Sequence, residues 1–130
     1  MTALDPTPVL TIRREALDRL DVVRERIGRF LDHPTSHGLS GVSEAVTDFV
    51  RFEAQEILAP VDRTGDRPRQ LEPVRYGHDA LVAGLNRLAW TQPGSAEIQV
   101  EVHRLRHELL AQADRYLSLR LPRGSLISGR

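Results

Sequence analysis

One stretch of the sequence repeats apolar residues at the spacing of a single helix face: SAEIQVEVHRLRHELLAQADRYLSLRL, residues 95–121. Its apolar positions follow one another at intervals of three or four residues, and charged residues occupy the other side; the positions are Ile98, Val102, Leu105, Leu109, Ala113 and Tyr116. This spacing brings successive turns of an α-helix onto one face. The stretch therefore predicts a long amphipathic helix that buries one side against other helices.

Three earlier segments share this pattern, and turn-forming residues separate them. The first covers residues 9–32, the second covers residues 40–59, and the third opens with Pro73 in its first turn and ends before a Pro-Gly pair. We expect Ser40 to cap the second helix and Pro60 to end it. No segment alternates polar and apolar residues as a half-buried strand does. Four helices with short connections predict an all-α protein, an up-down-up-down four-helix bundle.

Composition narrows the class of protein further. The 130 residues carry 18 basic and 18 acidic side chains, so the formal net charge is zero and provides no overall field for nucleic acid or an anionic membrane. We expect neither partner, and a cytoplasmic location. We assign one domain to residues 1–122 and a disordered C-terminal tail to residues 123–130. Because cysteine is absent, any metal site must use His, Asp and Glu.

Three polar residues fall on or beside the predicted apolar faces. At about 100° per residue, His78 lies in the middle of the third helix's apolar arc and Glu53 lies within the arc of the second. Arg24 lies at the edge of the first helix's arc. A buried ionised carboxylate needs a metal, an Arg or a hydrogen-bonded His. Alternatively, His78 is a core histidine satisfied by one oxygen, and the other two side chains reach water at their tips.

Two further pairs of histidines have the spacing of one helical turn. His103 and His107 can chelate a divalent ion if a third ligand is near, and Asp114 projects in a similar direction. This stripe lies off the centre of its helix's core face, so a solvated surface is the alternative. His33 and His37 flank a proline, and we interpret them as helix-end and turn residues. Nucleophile elbows, glycine-rich phosphate loops and dinucleotide motifs are absent from the sequence.

Two phrases resemble a known family. The second predicted helix ends in an acidic motif that runs from Glu56 to Pro60, and the third helix has Tyr-Gly-His-Asp-Ala-Leu, which contains His78, near its start. Together with the order of the helices, they resemble the bacterial hemerythrin-like, or HHE cation-binding, family over about residues 16–122. The resemblance implies a bundle that holds two non-haem irons through His and carboxylate ligands. It also implies roles in binding oxygen, handling iron or responding to oxidants and nitric oxide.

The family's ligand positions transfer to this chain only in part. His78 matches the ligand of the third helix, whereas the first-helix position falls on Arg24. The His and Glu positions of the second helix fall on Val50 and Ala54, and the fourth-helix position falls near Gln112 or the residue after it. The resemblance therefore implies a degenerate ligand set.

Three functional hypotheses follow. The first is a hemerythrin-like bundle without a cofactor, a non-catalytic binding or regulatory module whose core polar cluster is Arg24, Glu53 and His78. The second is a protein that binds non-haem iron or zinc and handles oxygen, iron or redox chemistry, with ligands drawn from Glu53, Glu56, His78, His103 and His107. The third is a helical adaptor that binds a protein partner or forms a homodimer through exposed apolar residues, namely Phe52, Trp90, Leu110 and Leu117.

Overall fold

The chain folds into four long helical columns. The computed structural model describes residues 7–64 and 69–119, with side chains from residue 12 onward except at 64 and 70. The elements are α1 (Thr7–Asp32), α2 (Ser36–Phe52), a π-helical segment (Glu53–Leu58), α3 (Ala59–Thr64), a short 3-10 helix (Arg69–Leu71), α4 (Glu72–Trp90) and α5 (Ala96–Ser118). The second column comprises α2, the π-helical segment and α3, which follow one another without a break. No strand occurs in the described residues, so the prediction of an all-α protein with four long helices is confirmed.

The columns pack in a ring around one core. Helix α1 packs against α2 and α5, and α4 packs against the same two neighbours. Three-residue and five-residue connections join α1 to α2 and α4 to α5, which suits antiparallel neighbours. Within the described residues, no helix combines the length and the apolar character needed to cross a membrane. The predicted tail, residues 123–130, lies outside the described residues.

The buried face of each helix follows the predicted apolar period. Buried apolar residues of the four columns form one cluster: Ala16, Leu20, Val23, Ile27, Phe30, Val42, Ala45, Val46, Phe49, Phe52, Ile57, Leu58, Val74, Leu81, Leu88, Ile98, Val102, Leu105, Leu109 and Tyr116. One position of α5 differs from the expected stripe, because Gln112 is fully buried while Ala113 is half-buried. A polar amide therefore occupies the layer between Leu109 and Tyr116.

The second column begins earlier than predicted. Thr35, not Ser40, is the N-cap residue of α2, because its backbone is extended and its hydroxyl accepts the Gly38 N–H at 2.9 Å. His37 consequently lies in the first turn of α2 and not in a turn between helices. The apolar pattern alone could not locate this start, since the first turn of α2 is largely exposed.

The second column also continues past Pro60. The Ala59 N–H bonds to the carbonyl of Ala54, five residues back, which widens the helix immediately before the proline. Pro60 has no N–H to donate, and it lies just after the point where the hydrogen-bond spacing changes from five residues to four. The helix can therefore continue through the proline. The prediction that Pro60 ends the helix is therefore wrong, and helical structure extends to Thr64.

Helices α4 and α5 approach each other closely through two glycines. A Cβ atom at Gly77 would overlap the side chains of Gln112 and Arg115, and one at Gly84 would lie 2.6 Å from a methyl carbon of Leu105. Glycine normally destabilises a helix interior by about 1 kcal/mol relative to alanine. Here it lets side chains of α5 lie against the backbone of α4, which brings Gln112 to the centre of the bundle.

Candidate functional site

A hydrogen-bonded polar network lies inside the bundle and is centred on Glu53. Glu53 is the first residue of the π-helical segment and is fully buried. Its Oε1 lies 2.7 Å from His78 Nδ1, and its Oε2 accepts hydrogen bonds of 2.6 Å from both Gln112 Nε2 and the Tyr116 hydroxyl. We call these four residues the Glu53 network. It joins the second column, α4 and α5 at one point in the core.

Further contacts fix the orientation of the donors. Gln112 Nε2 also donates to the carbonyl of Val74 at 3.0 Å, and Gln112 Oε1 accepts from the Arg115 guanidinium at 2.9 Å. The Tyr116 ring packs edge-on against Phe49, with ring centroids 6.4 Å apart and an interplanar angle of 83°. The amide therefore cannot turn its oxygen toward Glu53 without breaking two bonds, and the phenol is held by packing.

The surroundings of Tyr116 favour a neutral phenol. Burial raises the pKa of the Tyr116 phenol far above its ordinary value, and the charge of Glu53 and the hydrogen bond to it raise the pKa further. Tyr116 therefore remains a proton donor throughout the ordinary pH range. Three N–H and O–H donors directed at two oxygens are the arrangement that stabilises a negative carboxylate away from water.

His78 is positioned by the network at its outer end. Its side chain is 12% exposed, while that of Glu53 is 0% exposed. The charge of Glu53 is one of the causes that raise the pKa of Tyr116, and an ionised carboxylate only accepts hydrogen bonds; we therefore assign the proton to the Nδ1 that faces Glu53. This contact fixes both the tautomer and the ring orientation. The sequence left two interpretations of His78 open: a member of a polar cluster with Glu53, or a core histidine bonded to one oxygen. The structure combines them, because the one oxygen that His78 bonds belongs to Glu53.

The ligand set present does not fit the di-iron centre that the resemblance implies. Two non-haem irons need five or six His and carboxylate ligands, and the described part of the chain holds no cluster of three His, Asp or Glu residues suited to a metal ion. Both oxygens of Glu53 already face N–H or O–H donors, which cannot coordinate a cation. The geometry is that of a closed hydrogen-bond network.

Arg24 does not join this network. Its side chain is 53% exposed and lies 3.5 Å from the Asp21 carboxylate, one turn away on the same helix. The prediction of a core cluster containing Arg24 is therefore wrong. Helix α1 directs Val23 and Ile27 inward, and the position next to Val23 points outward by the helical period. The amide of Gln112, and not Arg24, lies beside Glu53.

The other proposed metal ligands also lie apart from Glu53 and His78. Glu56, His103 and His107 are exposed, as is Asp114. The two histidines stand on the outer side of α5, and that helix is not rotated in the way a relocated metal site would require. The solvated-face interpretation of this stripe agrees with the structure.

Sequence reasoning missed two members of the network, Gln112 and Tyr116. The apolar period predicts Tyr116 on the core face of its helix but gives its hydroxyl no partner. Gln112 stands three residues after Leu109 and four before Tyr116, which is a core spacing. A glutamine in that register, aligned with a buried carboxylate on another helix, was the available signal.

The four apolar residues that we expected on the surface divide into exposed and buried ones. Trp90 is 90% exposed, and Leu117 and Leu110 are 63% and 41% exposed, so these three are accessible as expected. Phe52 is 6% exposed, and the Arg19 guanidinium covers its ring at 4.5 Å from the centroid. The expectation that Phe52 is a surface contact residue is wrong, because it faces α1 at the end of α2.

Neither protein-family models, nor curated proteins, nor solved structures show a match to this chain.

Proposed function

We propose that this chain is a hemerythrin-like four-helix bundle whose interior hydrogen bonds replace a metal centre, and that it acts as a non-catalytic binding or regulatory module. The observation that carries the proposal is that both oxygens of Glu53 make hydrogen bonds inside the bundle. His78 occupies one carboxylate oxygen, while Gln112 and Tyr116 occupy the other. A buried carboxylate that is satisfied in this way has no need of a cation.

The position of Gln112 supports the same proposal. The family resemblance implies a ligand near this point of the fourth helix, and Gln112 directs an N–H₂ group at Glu53 from there. An amide nitrogen donates hydrogen bonds and does not coordinate iron, so the residue has the opposite polarity to a ligand. Its oxygen is engaged as well, by Arg115.

Catalysis at the network has little to support it. Among the described side chains, the Glu53 carboxylate is 0% exposed and makes all its contacts inside the bundle. His78 reaches the surface only at its edge. We therefore assign to the network a structural role, namely to hold three helices in register, and assign the module's binding activity to its surface.

The test is metal content measured together with metal-dependent stability, on protein purified without an affinity tag. We expect far less than one metal atom per chain by elemental analysis. We also expect the midpoint of thermal unfolding to stay unchanged when a chelator, ferrous iron or zinc is added. A ligand that binds only the folded state would raise this midpoint.

Two results would contradict the proposal. Two irons per chain would identify a working di-iron protein and would mean that the network rearranges around the metal. About one metal per chain, lost in a His78→Ala variant but retained in a His103→Ala variant, would place a metal at the network. Since His103 is exposed on α5, the second variant is the matched control.

A further inference from the structure

The outward face of α4 carries the two most exposed aromatic residues of the described chain. Five exposed residues form a stripe on the side opposite the core: Tyr76, Asp79, Ala83, Arg87 and Trp90. We call them the α4 stripe. The buried residues of the same helix are Val74, Gly77, Leu81, Gly84 and Leu88, so the stripe points away from the bundle.

Trp90 and Tyr76 are unusual surface residues. Trp90, the only tryptophan of the chain, is 90% exposed, and Tyr76 is 70% exposed. Tryptophan, tyrosine and arginine are the residue types that most often dominate the energy of protein interfaces. One helix face that presents all three is more informative than scattered exposed leucines.

The spacing of the α4 stripe is the same in both directions along the helix. Successive members are three, four, four and three residues apart, with Ala83 in the middle. A two-fold axis through Ala83 would therefore superpose the stripe on its own antiparallel copy. In a two-fold interface the same patch serves both subunits, and each contact occurs twice.

We propose that the α4 stripe binds a second copy of this chain, with the two α4 helices antiparallel and crossing at Ala83. Tyr76 of each protomer then lies against the partner's Trp90, and Asp79 lies opposite the partner's Arg87. The small side chain of Ala83 lets the two helices approach closely at the crossing point. This proposal goes beyond the function proposed above and does not depend on the Glu53 network.

Charge selects this antiparallel arrangement. Asp79 makes no ion pair within the described residues. Arg87 makes one, with Glu101 at 3.1 Å; its own side chain is 45% exposed and that of Glu101 is 13% exposed. Antiparallel pairing places each carboxylate opposite a guanidinium. Parallel pairing would place Asp79 against Asp79 and Arg87 against Arg87, and like charges that face each other disfavour association.

The aromatic residues supply much of the area that a dimer needs. Each aromatic side chain buries roughly 150–250 Å², so two tyrosines and two tryptophans at their exposed fractions contribute about 600 Å². A specific interface buries at least about 1,000 Å² in total. The remaining faces of two helices of 19 residues can provide the difference.

Tyr76 is held in place before any partner arrives. The Arg115 guanidinium lies over its ring at 5.6 Å from the centroid, and the same guanidinium donates to Gln112. A ring that already has a contact on one side loses less conformational entropy when a partner covers the other side. The outer stripe of α5 is a weaker candidate, because His103, His107 and Asp114 alternate there with its apolar residues.

The first experiment uses Trp90 as its own probe. Because it is the only tryptophan, intrinsic fluorescence reports this position alone. We expect the emission maximum to move to shorter wavelength as the concentration rises from micromolar to millimolar, in step with dimer formation in sedimentation equilibrium. Tyr76→Ala should raise the dimer dissociation constant by at least about tenfold. Leu117→Ala, an exposed leucine on α5, is the matched control and should leave it unchanged.

The second experiment exchanges the charges. Asp79→Arg and Arg87→Asp should each be monomeric, because each places like charges opposite one another twice per dimer. An equimolar mixture of the two variants should form a heterodimer, since every opposed pair is then Arg with Asp. Circular dichroism of each variant confirms that the helices are intact.

Three outcomes would overturn the proposal. The wild-type chain could remain a monomer throughout the concentration range. The mixed variants could fail to associate although each is folded, which would exclude this register. Leu117→Ala could weaken the dimer as much as Tyr76→Ala, which would place the interface on α5. None of these outcomes bears on metal content, so failure here is distinguishable from failure of the proposed function.

Discussion

Alkaline unfolding gives the sharpest test of the Glu53 network, through the substitution Tyr116→Phe. The native phenol keeps its proton because burial and the Glu53 carboxylate raise its pKa far above the ordinary value of 10.0. In the unfolded chain this phenol ionises near pH 10. The unfolded state therefore binds one proton fewer than the native state above that pH, and stability falls as pH rises.

The size of the effect follows from linkage. One proton of difference lowers the free energy of unfolding by about 1.4 kcal/mol per pH unit once the unfolded phenol is fully ionised. Between pH 10 and pH 11.5 the loss is about 1.6 kcal/mol. Below pH 10 the contribution is fully present. The chain is well suited to this measurement because all 18 basic residues are arginine and cysteine is absent, so few other groups titrate in this range.

The assay is urea denaturation followed by circular dichroism at several pH values from 8 to 11.5. At pH 8, Tyr116→Phe should be less stable than wild type by about 2 kcal/mol, because a charged acceptor loses one hydrogen bond. Above pH 10 the two stability curves should converge, since the variant lacks the titrating phenol. Tyr76→Phe, which alters an exposed ring, is the control and should keep the wild-type slope. If Tyr116→Phe keeps that slope as well, the neutral buried donor described here is refuted.

Three further substitutions and one control, Gly28→Ala, test the core, each by urea denaturation at neutral pH. Gly77→Ala should lower the free energy of unfolding by about 1–3 kcal/mol, because its Cβ would overlap Gln112; Gly28→Ala, with open space around it, should raise stability by about 0.5–1 kcal/mol. Equal effects would contradict the close approach of α4 and α5. Glu53→Gln should lower stability by about 3 kcal/mol, because it directs an N–H₂ group at other donors; a neutral result would mean that the carboxylate is dispensable. Phe52→Ala should lower stability by about 3 kcal/mol, whereas an exposed phenylalanine would give less than about 0.5 kcal/mol.

The helical columns could be predicted from sequence because burial in a bundle imposes a strict period. The apolar period of α5 and the proline in the first turn of α4 both appear in the structure as expected. The ends of the helices were harder to predict from the sequence. The start of α2 depends on the backbone of Thr35, and continuation through Pro60 depends on a local π-helical hydrogen-bond pattern. Neither feature changes the apolar pattern, so the pattern could not report them.

Only part of the Glu53 network could be predicted from the sequence, for a related reason. A helical wheel places Glu53 and His78 inward on their own helices, but it does not say which neighbours they meet. Arg24 is predicted beside Glu53 because it lies at the edge of the first helix's apolar arc, at the family's ligand position, and because its charge would pair with a buried carboxylate. The structure instead compensates Glu53 with an imidazole, an amide and a phenol from α4 and α5. Neutral donors are harder to recognise in a sequence because they resemble ordinary residues of a helix.

Helix α4 contributes to the Glu53 network on its inner face and to the α4 stripe on its outer face. Arg115 of α5 contacts a residue of each. The inner face presents the glycine against which Gln112 packs, while the outer face presents Tyr76. Arg115 contacts both, because it donates to Gln112 and covers the Tyr76 ring. A partner that covers the Tyr76 ring would therefore also lie close to the arginine that bonds the Gln112 amide. Arg115 is thus a contact that the proposed interface and the Glu53 network share.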